Sequence, residues 1–117
     1  MNALKTFTFE ALTKEQIRDY CEASGDWNRI HHDEAFAKEA GLGGIIAHGM
    51  LSMGLAARAL EEWGFSAEKL KNLEAKFKDI AKPGDILSAE LLETTPQIRC
   101  RVINQKGAEI VSVSATL

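Results

Sequence analysis

The chain has 117 residues, of which 45% are hydrophobic and 26% charged, and its net charge is −3 at pH 7. That length fits one domain, residues 1–117, able to bury about two thirds of its unfolded surface but with so little core to spare that a partner subunit would help. The apolar content excludes a disordered chain, and interspersed charges without a Lys/Arg run exclude a phosphate-backbone binder, so no nucleic acid is expected as a partner.

Met1-Asn2-Ala3-Leu4-Lys5 lacks the basic region and apolar run of a signal peptide. Phe7, Phe9 and Leu12 follow an extended start, which predicts a strand over residues 3–9. Thr13-Lys14-Glu15-Gln16 fits a capping box, a hydroxyl at the N-cap with an amide three residues on. Ile17, Tyr20 and Cys21 then share one helical face, and Gly25 suits the left-handed position that ends the helix. Residues 26–32 read as a loop. Residues 33–41 read as a short helix with its acids mostly in the first turn and Gly41 at its end. Gly41-Leu42-Gly43-Gly44 is a turning connector.

From His48 to Trp63 few positions are polar until Glu61, which predicts a helix buried nearly all round and wrapped on most sides. The apolar stretch from Gly43 to Ala57 is broken by His48 and closed by Arg58, too short and polar to span a bilayer, so no membrane partner is expected. Strand patterns follow over residues 70–81, 86–94, 97–104 and 109–117. They are bounded by Lys82-Pro83-Gly84-Asp85, Thr95-Pro96 and Lys106-Gly107. The expected architecture is a long buried helix followed by a four-strand antiparallel meander that curves around it. Cys21 and Cys100 read as reduced, partly buried thiols of a cytoplasmic protein.

The chemistry concentrates in Ser24-Gly25-Asp26-Trp27-Asn28-Arg29-Ile30-His31-His32-Asp33, and in Ile46-Ala47-His48-Gly49-Met50 at the start of the long helix. Asp26 and His31 in one loop can both reach one water, the carboxylate as acceptor and the imidazole as donor or acceptor. The first N–H groups of a helix have no intrahelical partner and favour a carbonyl oxygen that turns negative. Gly49 leaves that amide without a side chain in the way. Acid, base and oxyanion donor are the parts needed to add water to a double bond conjugated to a thioester.

Asp26-x-Asn28-x-x-His31 followed by Ala47-His48-Gly49-Met50 resembles the signature of the MaoC-like (R)-specific enoyl-CoA hydratases, and Lys82-Pro83-Gly84-Asp85 is similar to that family's strand connection. The resemblance covers the chain from about residue 5 to its end. It implies an α+β hotdog fold, an antiparallel sheet wrapped around the central helix. It implies that Asp26 and His31 activate water and return a proton, and that the Gly49 N–H polarises the thioester carbonyl. Asn28 would orient the loop or the water. Trp27, His48 and Met50 would lie along the substrate, whose acyl chain would enter a pocket beside the central helix. The substrate would be a thioester of coenzyme A or acyl carrier protein, with no further cofactor and no metal, in a homodimer or a dimer of dimers. Two positions depart from the family: Arg29 stands where proline is usual, which implies a looser loop or a contact to a carboxylate or carrier phosphate, and Ala57 stands where some members have serine.

Other readings compete. Asp26 alone is also a turn residue after Gly25. Adjacent His31 and His32 point apart in extended chain and lack zinc-like partners. His48 reads as structural, a ring that ties down the preceding loops. Trp27 and Phe36 read as pocket wall or core, and Met50 and Met53 as core. A hotdog thioesterase is an alternative, although many of those use an acid on or just before the central helix, and from His48 to Leu60 there is none. A non-catalytic acyl-thioester-binding subunit is another, favoured only by Arg29.

Overall fold

The structure, a computed structural model, describes residues 3–117. The predicted first strand forms as β1, Lys5–Thr8. Helix α1 runs Lys14–Ser24, started by Thr13, whose hydroxyl accepts the Gln16 N–H, and ended by Gly25 at φ 77°. The start is thus the hydroxyl half of the predicted box. Thr13→Ala is expected to cost about 1 kcal/mol in urea unfolding. A 3-10 turn over Arg29–His31 and helix α2, Glu34–Glu39, follow, the latter capped by Asp33 through the Phe36 N–H. The long helix α3 is Gly49–Glu62.

Strands β2 (Asn72–Phe77), β3 (Ser88–Glu93), β4 (Ile98–Ile103) and β5 (Glu109–Thr116) complete one five-stranded sheet in the order β1-β3-β4-β5-β2. The expected meander therefore holds only for β3 to β5. After α3 the chain lays β2 against β5, antiparallel from Asn72↔Thr116 to Phe77↔Val111, and then crosses to β3. The strand pattern was legible, but nothing in a strand's own residues names its neighbour. The crossing is anchored at Lys82-Pro83-Gly84-Asp85. The Asp85 carboxylate accepts the Lys82 N–H at 2.9 Å, and the Gly84 N–H donates to the Leu12 carbonyl.

Alternation along the strands sends Ala89 and Leu91, Ile98, Cys100 and Val102, and Val111, Val113 and Ala115 inward, all buried. Ile110 is buried as well, because a register shift sets Val102 opposite Val111 but Ile103 opposite Glu109. Burial pushes the Cys100 thiol up to about 12, so it stays protonated as an apolar core group.

Helix α3 lies across the inner face with Leu51, Ser52, Ala56, Ala59 and Leu60 buried. The expected sheet around a central helix is present, but it is not closed and covers α3 from one side rather than from most sides. Met50 is 55% exposed, and Gly54, Ala57 and Arg58 also face outward. An open five-stranded sheet contacts one face of a helix, and the opposite face stays uncovered in a single chain. Among the described residues, no helix is long and apolar enough to cross a membrane.

Candidate active site

Three segments that are far apart in sequence meet at the N-terminus of α3. The end of α1 carries a relay: the Ser24 hydroxyl donates to the Tyr20 carbonyl at 2.7 Å and accepts the Asp26 N–H at 3.1 Å. Asp26 then closes a turn of its own, its Oδ1 accepting the Asn28 N–H at 3.2 Å, and the Asn28 side chain accepts the Ile30 N–H. The Asn28 side chain is thus bonded within the loop itself. These local bonds turn the chain so that His31 points inward, only 7% exposed, while Asp26 stays at the surface.

The His31 Nδ1–H donates to the Ile46 carbonyl at 2.8 Å. That bond assigns the proton of the neutral ring to Nδ1 and leaves Nε2 with its lone pair free. His48 sits beside it with the ring centroids 3.7 Å apart and the planes 22° from parallel. A carboxylate oxygen of Asp26, a ring nitrogen of His31 and a ring nitrogen of His48 lie within 4.8 Å of one another. Nearly parallel rings present their lone pairs side by side, whereas a tetrahedral ion needs them to converge, so the geometry suits proton transfer better than metal binding.

His48 is the N-cap of α3 but makes no side-chain cap bond. Its Nε2–H donates to the Asp26 carbonyl at 3.1 Å and lies 3.5 Å from the Cys21 thiol. The reading of His48 as a tie for the preceding loop is what this bond supplies. Burial, more than any other influence, holds the His48 ring below the ordinary histidine range. The Cys21 thiol is raised, first by burial and then by the Asp26 charge. Gly49 follows His48 directly, and neither its N–H nor that of Met50 forms a backbone hydrogen bond among the described residues. A Cβ at Gly49 would meet the Phe77 ring at 3.1 Å, so the glycine admits that ring against the helix start.

The other expected residues are placed as follows. Trp27 is 44% exposed and packs edge-on against His32, whose Nε2–H donates to the Trp27 carbonyl at 3.1 Å. His32 therefore braces the loop and is not one of the three residues of the cluster. Met50 projects outward from the first turn of α3, which overturns its reading as core. Of the two readings of Arg29, the contact to a carboxylate is found: its guanidinium donates to Asp33 Oδ2 at 2.9 Å and lies 4.3 Å from the centre of the Phe36 ring. A pocket of about 280 Å³ opens on His31, walled by Arg18, His32, Glu34 and Ile45. A cavity of about 500 Å³ does lie beside α3, but it is bounded by Phe7, Phe9, Leu55 and Arg58 and includes neither Asp26 nor His31.

The reading from sequence did not find the Ile46 carbonyl, Phe77 or the Tyr20–Cys21 wall as parts of this site. Helical periodicity did put Tyr20 and Cys21 on the inner face of α1. Nothing in the sequence signalled that His48 would be what they face.

The description "MaoC like domain" matches residues 3–115. Over 80 residues the chain is 40% identical to a peroxisomal hydratase-dehydrogenase-epimerase of Neurospora crassa, covering 68% of this chain and 8% of that protein. Over 77 residues it is 36% identical to the fatty acid synthase beta subunit pkiC of Emericella nidulans, covering 64% of this chain and 4% of that protein. It thus spans less than a tenth of either relative's length. Among solved structures, the R-hydratase PhaJ1 from Pseudomonas aeruginosa in its unliganded form superposes with a TM-score of 0.80 at 27% identity, over 98% of this chain and 79% of that one.

Proposed function

The chain belongs to the MaoC-like dehydratase family and has its hotdog fold, and on that premise we propose that it catalyses the reversible hydration of trans-2-enoyl thioesters to (R)-3-hydroxyacyl thioesters. The observation that carries the proposal is the meeting of the Asp26 carboxylate with the His31 and His48 rings within 4.8 Å, with the His31 Nδ1–H held by Ile46. In the hydration direction the water oxygen bonds to C3. Asp26 and His31 take up its proton, and a proton returns from them to C2. The α electron density gathers meanwhile on the thioester oxygen, which the free N–H of Gly49 stabilises. Asn28 holds the loop, His48 backs the pair from within, and Trp27 and Met50 line the approach of the acyl thioester, whose carrier is coenzyme A or acyl carrier protein. Reversal of the same steps dehydrates the hydroxyacyl thioester.

The test is direct. Pure protein mixed with crotonyl-CoA is expected to bleach the absorbance of the conjugated thioester and to yield the (R)-3-hydroxy product. Release of free thiol instead would assign a thioesterase, and no turnover would leave a binding subunit.

We also propose a homodimer. Strand β2 is a sheet edge, and beside it Met50 and Phe77 are 55% and 52% exposed. A second copy set against that edge would cover both. Light scattering at micromolar protein is expected to return twice the chain mass, or four times for a dimer of dimers. A monomer mass would overturn the assembly.

A further inference from the structure

His48 is 3% exposed and touches both members of the pair in different ways. It holds Asp26 through the backbone, Nε2–H to carbonyl at 3.1 Å, and it holds His31 through ring stacking at 3.7 Å. Tyr20 closes its other side with ring centroids 4.7 Å apart. Its second nitrogen, Nδ1, is buried and has no hydrogen-bond partner. An orphaned buried acceptor is costly, and a ring that served only to fill space would have no need of it. A proton on Nδ1 would find no acceptor and would set a second positive ring against His31. Burial, followed by the approach of His31, opposes that proton, while Asp26 favours it.

We propose, resting on the hydratase reading, that His48 is the positioning residue of the pair: a ring kept neutral that holds the Asp26 loop by its N–H and carries His31 on its π-face while His31 bears a proton. The electron-rich face of a neutral aromatic ring attracts a cation within about 6 Å. Two charged rings at the observed separation would repel each other instead. Neutrality of His48 is therefore what allows His31 to gain and lose its proton without breaking the stack.

The titratable groups facing His48 are Tyr20 and Cys21 from α1, Asp26 from the loop and His31 from the 3-10 turn. On the pocket side of His31 stand Glu15, Arg18 and His32, together with the Lys14–Glu34 ion pair. Substituting His48 leaves the pocket-side groups in place, and His48→Gln can keep the bond to the Asp26 loop while His48→Phe cannot, so the two variants together separate the stacked ring from a displaced Asp26.

The measurement is ¹⁵N NMR of the histidine rings in the full chain. In the unaltered protein His48 is expected to stay the neutral Nε2–H tautomer at the pH where an ordinary histidine takes up its proton. His48→Gln can keep a donor toward the Asp26 carbonyl but has no π-face, and is expected to lower the His31 pKa by about 0.5–1 unit. The acidic limb of kcat/KM should move with it. His48→Phe keeps a face and loses the donor. It is expected to leave the His31 pKa within about 0.2 unit and to slow crotonyl-CoA hydration by about tenfold through a loosened Asp26. A His31 pKa unchanged or raised in His48→Gln would overturn the proposal. So would titration of His48 alongside His31 in the unaltered protein, a measurement that needs no variant to fold. If the NMR results hold but no enoyl thioester is hydrated, the hydratase reading alone is lost.

Discussion

Asp26→Asn is expected to lower the rate of crotonyl-CoA hydration by about a hundredfold or more, the usual scale of a lost general acid–base group. The substitution isolates chemistry from structure. An asparagine oxygen can still accept the Asn28 N–H that Asp26 Oδ1 now accepts, and the carbonyl that holds His48 belongs to the backbone. Only the negative charge and the basicity are removed. His31→Ala should cost a similar factor, with a second penalty, because the Ile46 carbonyl loses the donor it now has at 2.8 Å. If both groups act on one water, the double variant should be little slower than the slower single one, since groups that work as a unit do not lose their effects additively. Initial rates on crotonyl-CoA, with circular dichroism as a check on folding, decide the matter. Unchanged rates in both single variants would remove the pair from the mechanism.

Leu60→Ala should destabilise the protein by about 2–5 kcal/mol and lower its melting temperature by about 10 °C or more. Leu60 is wholly buried, on the face of α3 that meets the sheet. Its truncation removes apolar contacts and leaves a cavity that a sheet tied by backbone ladders cannot readily close. Ala57→Ser, three residues back and on the open face, is expected to change stability by less than about 0.5 kcal/mol. Thermal melts of the two variants test whether α3 is covered on one side or all round. An equally large loss from Ala57→Ser would restore the wrapped helix that the residue pattern suggested.

That contrast shows what a uniformly apolar helix leaves open. Apolar composition reports that a surface avoids water, but it does not report what covers it. Met50, Gly54 and Ala57 are the open side of a single chain. Strand order was hidden for a related reason. The alternation in Leu73, Ala75 and Phe77 marks a strand with one inward face, yet its partner β5 begins more than thirty residues later.

The site divides along the same line. Local chemistry was readable from residues alone: Thr13 as a cap, Gly25 as the left-handed end of α1, and the bare first turn at Gly49. Each depends on bonds between residues a few positions apart, and short-range geometry follows from residue type. What only the tertiary structure decided is the long-range part: the Ile46 carbonyl that sets the His31 tautomer, the His48 ring stacked on His31, the Phe77 ring over Gly49, and Arg29 turned to Asp33 and Phe36. The first three contacts form only when the packing of α1, α3 and β2 brings distant segments together. A side chain's own sequence neighbours carry no record of which remote group it will meet.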